Sequence, residues 1–205
     1  MKHTALAGLV AGVVLGVAGA GFPSATWGQQ ETKRKSQAAQ DAMRAMLKAA
    51  TPGPEHALIG QFTGVWTATV ESFDPSTRAM VTSKGTMTNT PVLGGRWLRQ
   101  EFRGEFGGMP FEGLGHWGYD VVRKQYVGLW MDNFTTGCMV SAGSYDEATR
   151  TWTLTGKMPD PVTGKDTTMR EVMTVKSPTE YVSEAWVPGP DGKDVKMMTI
   201  VYTKN

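Results

Sequence analysis

From Gly64 onward, apolar and polar residues alternate with a period of two, the spacing of strands that bury one face. A repeated turn punctuates the pattern. Phe73-Asp74 is followed by Arg78, Tyr119-Asp120 by Arg123 and Lys124, and Tyr145-Asp146 by Arg150. Each reads as an aromatic that ends a strand, an aspartate that accepts bonds from the turn's N–H groups, and a basic residue that opens the return strand. Further turn signals stand at Gly94-Gly95, Gly107-Gly108, Asn133, Asp160-Pro161, Ser177-Pro178 and Pro188-Gly189-Pro190-Asp191-Gly192. These nine turns separate ten strand-like segments. Every connection is short, so the sheet is expected to be an antiparallel meander.

Upstream the period changes. Ala38 to Ala50 is alanine-rich, with Met43, Met46 and Leu47 at i, i+3 and i+4, and predicts a short helix. Thr51-Pro52-Gly53-Pro54 ends it, and a second helical turn around Glu55–Ile59 leads into the first strand. Residues 29–40, QQETKRKSQAAQ, hold no aromatic or branched aliphatic residue and are expected to form a solvated tail. The KRK at 33–35 then serves solubility rather than a partner.

The first 28 residues read as a leader. Lys2 precedes an uncharged, mostly apolar run from Ala5 to Val17, too short to span a bilayer comfortably, and small residues follow at Ala18-Gly19-Ala20. Cleavage after Ala20 or after Gly28 is expected, which makes the protein secreted or periplasmic. The organisation is then a signal peptide (1–28), a polar tail with a short helix (29–50) and a β-domain (51–205). Cys138 is the only cysteine, so no intramolecular disulfide forms. A formal net charge of +2 is too weak to point to nucleic acid, and no other apolar run predicts membrane insertion. Oligomeric state is left open.

Ten antiparallel strands can close on themselves, which removes the exposed edges of an open sheet. The stretch GLGHWG at 113–118 spells the dinucleotide fingerprint G-x-G-x-x-G. That fingerprint works by turning a strand into a helix whose N-terminus faces a pyrophosphate. Here a turn and another strand follow, so the glycines are read as strand glycines where something packs close.

At VLGGRWL (92–98), GMPFEGLGHWGYD (108–120), KQYVGLWMDN (124–133) and GSYDEATRTWTLTG (143–156), the sequence resembles the family catalogued as domain of unknown function 1579. PGPEHALIGQFTGVW (52–66) resembles the same family's opening segment, and Gly64-Val65-Trp66 is similar to the G-x-W of lipocalin-type barrels. The resemblance implies a calycin-like barrel, akin to lipocalins and nitrobindins, and no activity. The expected fold is therefore all-β: a ten-stranded antiparallel meander closed into a lipocalin-like barrel, preceded by a short N-terminal helix.

Alternation sorts residues into faces without saying which face is inward. Phe111, Gly113, Gly115, Trp117 and Tyr119 share one face of their strand, opposite Glu112, Leu114 and His116. Tyr126, Gly128, Trp130 and Asp132 share a face; so do Trp97, Arg99, Glu101 and Arg103, and so do Met169, Glu171 and Met173. Mixed faces together with 13 Met and 7 Trp fit an adaptable pocket for a small apolar or amphipathic molecule. Trp97, Glu112, His116, Trp117, Trp130 and Asp132 are the candidate ligand-binding residues. Glu112 and His116 lie about 13 Å apart along an extended strand, too far to act as an acid–base pair. No metal site is expected from His56, His116 and Cys138, which are scattered along the chain, and no catalytic residue is assigned.

Three readings remain open: an exported barrel that holds a small hydrophobic molecule, a haem-binding or other enzymatic barrel, and a filled-core barrel acting through its surface. The first is favoured and no cofactor is expected. The nitrobindin resemblance would place a haem-ligating histidine late in the barrel, whereas no histidine follows His116. N-terminal sequencing of the exported protein is expected to find a start within residues 21–29; a start at Met1 would refute the leader.

Overall fold

The computed structural model describes residues 24–74, 79–160, 163–189 and 191–205. The leader-like residues 1–23, together with Arg78, Pro161 and Pro190 of the expected turns, lie outside the described residues. The chain divides into two compact units, Met1–Met46 and Leu47–Asn205. Helix α1 runs from Ser24 to Ala50, so the segment expected as a tail from residue 29 is helical. Glutamine, glutamate, lysine and arginine are good helix formers, and Lys35 pairs with Glu31 one turn away at 2.8 Å. The segment carries no apolar stripe, which is why hydrophobic periodicity does not find it.

The second unit is the barrel. A helix α2 of about two turns (Pro54–Gly60) starts with proline in its first turn, and Gly53 N donates to Nδ1 of His56 at 3.0 Å. Ten strands follow: β1 (Gly64–Asp74), β2 (Ala79–Val92), β3 (Trp97–Phe106), β4 (Met109–Asp120), β5 (Gln125–Asp132), β6 (Met139–Asp146), β7 (Thr151–Pro159), β8 (Asp166–Ser177), β9 (Glu180–Pro188) and β10 (Asp194–Lys204). Each pairs antiparallel with its chain neighbour, and β1 also pairs with β10, from Trp66↔Lys204 to Ser72↔Met198, to close the ring. The result is the expected ten-stranded calycin-like meander.

All nine connections fall at the turn signals of the sequence. Gly107-Gly108 has positive φ at both residues, the mirror-image turn whose twist suits a two-residue hairpin, and the four-residue link 93–96 has positive φ at Leu93, Gly94 and Gly95. In the aspartate turns, Asp120 accepts from the N–H of Val122 and Arg123, and Asp146 from those of Ala148 and Thr149. The basic residues Lys124 and Arg150 take left-handed φ values of 54° and 53° to swing the chain into the return strand.

Alternation then decides what is inside. Along β1, Trp66, Ala68, Val70 and Ser72 are buried while Val65, Thr67 and Glu71 are exposed. The end of the barrel under α2 is plugged by aromatic rings. Phe62 is buried to 2 % exposure and meets Trp117, Trp152 and Tyr181 at centroid distances of 5.2, 5.4 and 4.9 Å. Its carbonyl accepts from Trp66 Nε1 at 2.7 Å and Asn89 Nδ2 at 2.9 Å, which fastens the α2–β1 junction to the barrel floor. Aromatic pairs of this geometry add about 0.5–1.5 kcal/mol each beyond their buried area.

The GLGHWG stretch lies within β4, with no helix after it. Its glycines are seats for two indoles. A Cβ on Gly113 would collide with the six-membered ring of Trp130, and one on Gly115 would sit 3.0 Å from Trp130 Cε3 and 3.1 Å from Gln100 Oε1. On the opposite face, a Cβ on Gly118 would lie 2.7 Å from Trp97 Cε3. Gly115→Val is therefore expected to cost about 1–3 kcal/mol, the range for overpacking, read as a lowered melting temperature. Calorimetric titration with NAD or ATP should show no binding before or after the substitution. An unchanged melting temperature would mean that the indole does not need the glycine.

Candidate functional site

The odd-numbered strands run from the plugged end toward the opposite mouth, where the turns after β1, β3, β5, β7 and β9 gather. Between floor and mouth the barrel encloses a cavity of about 420 Å³. Phe102, Phe111 and Trp130 line one side of it, and Met139, Met158, Met169, Met173 and Met198 much of the rest. Phe106, Phe111 and Phe134 cluster at the rim, with centroid distances of 5.2 to 6.3 Å and Phe134 edge-to-face with the other two. Aromatic rings give this wall fixed faces, and the unbranched thioethers fill irregular gaps between them.

The six candidates from the sequence separate by face. Trp117, Trp130 and Asp132 line the cavity. Trp117 joins the floor, whereas Trp130 lies flat over Gly113 and Gly115 higher in the wall. Asp132 is the last residue of β5 and already has partners for both oxygens. Oδ2 accepts from Trp130 Nε1 at 3.1 Å, and Oδ1 accepts from the N–H of Phe134 and Thr135 at 3.0 and 3.2 Å. Glu112 and His116 alternate with the inward residues of β4 and stand on the outer face, where His116 is in register with Arg99 and Leu129. Trp97 covers Gly118 on that outer face and does not reach the cavity. His56 is buried, accepts from Gly53 N and packs edge-on against Tyr119, so its role is to hold α2. Among the described residues, no group of three or more His, Cys, Asp or Glu is placed to hold a metal ion.

The polar feature of the cavity that stands outside the six is Glu171. It sits midway along β8, deep in the barrel yet partly open to the cavity, flanked in register by Leu154 of β7 and Ala185 of β9. Ser183 Oγ donates to its Oε1 at 3.0 Å. Burial raises the Glu171 pKa, and the Ser183 bond offsets part of that rise. The Tyr181 and Tyr202 rings stack beside it at 4.3 Å, and burial raises both hydroxyl pKa values well above the ordinary range, so both stay neutral. The signal for Glu171 was present in the sequence: an acid between Met169 and Met173, on one face of a strand that carries Val175 as well.

A carboxyl whose folded pKa is raised binds its proton more tightly in the folded chain than in the unfolded one. Its stability contribution is complete below the ordinary carboxyl pKa and is lost as pH rises through the folded value. Glu171→Gln should therefore leave the melting temperature at neutral pH unchanged or higher, and flatten its decline between mildly acidic and neutral pH. Thermal unfolding across that range checks this; a variant less stable at neutral pH than the wild type would contradict it.

Comparison with known proteins adds a family and no chemistry. No curated protein matches the chain. Among solved structures it is similar to a redesigned β-barrel, at 18% identity and a TM-score of 0.36, over 77% of this chain and 96% of that one. The family model described as "Protein of unknown function (DUF1579)" matches residues 51–204, from the turn before α2 to the last residue of β10. With the whole barrel inside that match, the chain belongs to the DUF1579 family.

Proposed function

We propose that this is an exported barrel that binds a small, largely apolar molecule in its interior. The observation that carries the reading is the cavity itself. About 420 Å³ remain unfilled above an aromatic floor, a size within the range of small-molecule sites. Its wall is aromatic and methionine-rich, with a few polar groups at fixed places, the composition of a site that grips an apolar body and orients it.

A filled-core barrel acting through its surface would close such a space with Leu, Ile and Val. An enzyme would need an activated pair facing the substrate. Glu171 and Ser183 are inside and hydrogen-bonded to each other, and neither has a further polar side-chain partner among the described residues to complete a catalytic relay. The outer face also supports a barrel that works in water. Thr67, Glu71, Arg99 and Arg103 alternate with the buried residues of β1 and β3 and are exposed. Export rests on the leader-like pattern of residues 1–28.

Titration with the neutral fluorophore N-phenyl-1-naphthylamine should give a saturable rise in emission as the probe leaves water. Met198→Trp places a bulky ring in the cavity and is expected to weaken that binding by more than about tenfold while the circular dichroism spectrum stays that of the wild type. Absence of saturable binding to the wild type would sink the reading. Unchanged affinity in a folded Met198→Trp protein would place the probe elsewhere.

A further inference from the structure

We infer that the ligand of the cavity is an organic cation, an apolar body carrying a quaternary or protonated amine that docks against Glu171. This rests on the cavity being a ligand site and names the chemistry of what it takes.

The residues lining the cavity include no Lys, Arg or His. Three acidic residues line it: Glu105 near the end of β3, exposed and alternating outward, Asp132 at the mouth, and Glu171 farther in. Asp132 is committed to Trp130 and to the backbone of the loop that follows it. Glu171 is not: among the described residues Ser183 is its single hydrogen-bond donor, and that bond uses Oε1. The nearest basic residue in sequence, Arg170, alternates to the outer face, where it pairs with Asp194 at 2.6 Å and lies over Trp186. The strand neighbours in register with Glu171 are Leu154 and Ala185, which bring no charge, and the titratable groups beside it are the neutral hydroxyls of Tyr181 and Tyr202.

A carboxyl group deep in an apolar chamber without a counter-charge is costly to ionise. A ligand that supplies the missing cation removes that cost, and the same cavity is lined by the aromatic residues Phe102 and Trp130, a type of ring that attracts cations. A fatty acid would bring a second carboxylate to a cavity lined by no base. A neutral alcohol would gain a hydrogen bond with Glu171 and bring no counter-charge.

Three probes share one tail and differ in the head: decyltrimethylammonium, decanoate and 1-decanol. Calorimetry at neutral pH should find decyltrimethylammonium bound at least about tenfold more tightly than the other two. Its affinity should fall on acidification while that of 1-decanol stays level, because the cation docks against the ionised carboxyl and protons compete with it for Glu171. Glu171→Gln should erase the preference and its pH dependence but keep 1-decanol binding; Ser183→Ala, which leaves the carboxyl in place, should keep the preference. If Glu171→Gln does not fold, the pH dependence in the wild type decides alone. Equal affinity for cation and alcohol, tighter binding of decanoate, or a preference that survives Glu171→Gln would overturn the cation assignment while the cavity remains a ligand site. Failure of all three probes to bind would overturn the ligand site itself.

Discussion

The interior depends on how one end of the barrel is stopped. A ring of ten strands is wider than its own side chains fill at every level, so an open-ended version of this sheet would hold a column of water against Trp66, Trp117 and Trp152. Phe62 prevents that. It stands on the short link between α2 and β1, its ring reaches three aromatic neighbours, and its carbonyl holds two donors from β1 and β2. The plug is thus fixed through backbone and side chain at once. With the floor filled by packed rings, the cavity lies toward the mouth, and the methionines and the carboxyl of Glu171 acquire a surface to face.

Much of this architecture was legible. Period-two alternation and turn chemistry found every strand and every connection, because both are local: Asp120 and Asp146 bond to N–H groups two and three residues on. The fold class follows from short connections, since they leave only antiparallel neighbours. Closure followed from the cost of leaving β1 and β10 as edges, and it is that pair that zips.

Facing was not legible, and the candidate site suffered for it. On β4 the polar-looking set Glu112 and His116 attracted chemical interest, whereas the glycine-and-aromatic set turned inward. The two glycines blur the apolar character of the inward face, and the reason they are glycine, the ring of Trp130, comes from the next strand. Glu171 escaped selection for the same reason. An acid in a strand is normally on the wet face, and only the burial of Met173 and Val175 on its own face shows that this one is not. The extra length of α1 escaped because a helix without an apolar stripe leaves no periodic trace.

Trp130 ties three of these features into one lever. Its ring rests on bare backbone at Gly113 and Gly115, and its Nε1 grips Asp132, whose other oxygen anchors the first residues of the rim segment after β5. Wall and rim are therefore one mechanical part. A force on the flat of that indole would bear on the Asp132 bond and through it on Phe134 and Thr135, so one carboxylate joins the wall of the chamber to the loop that borders its opening.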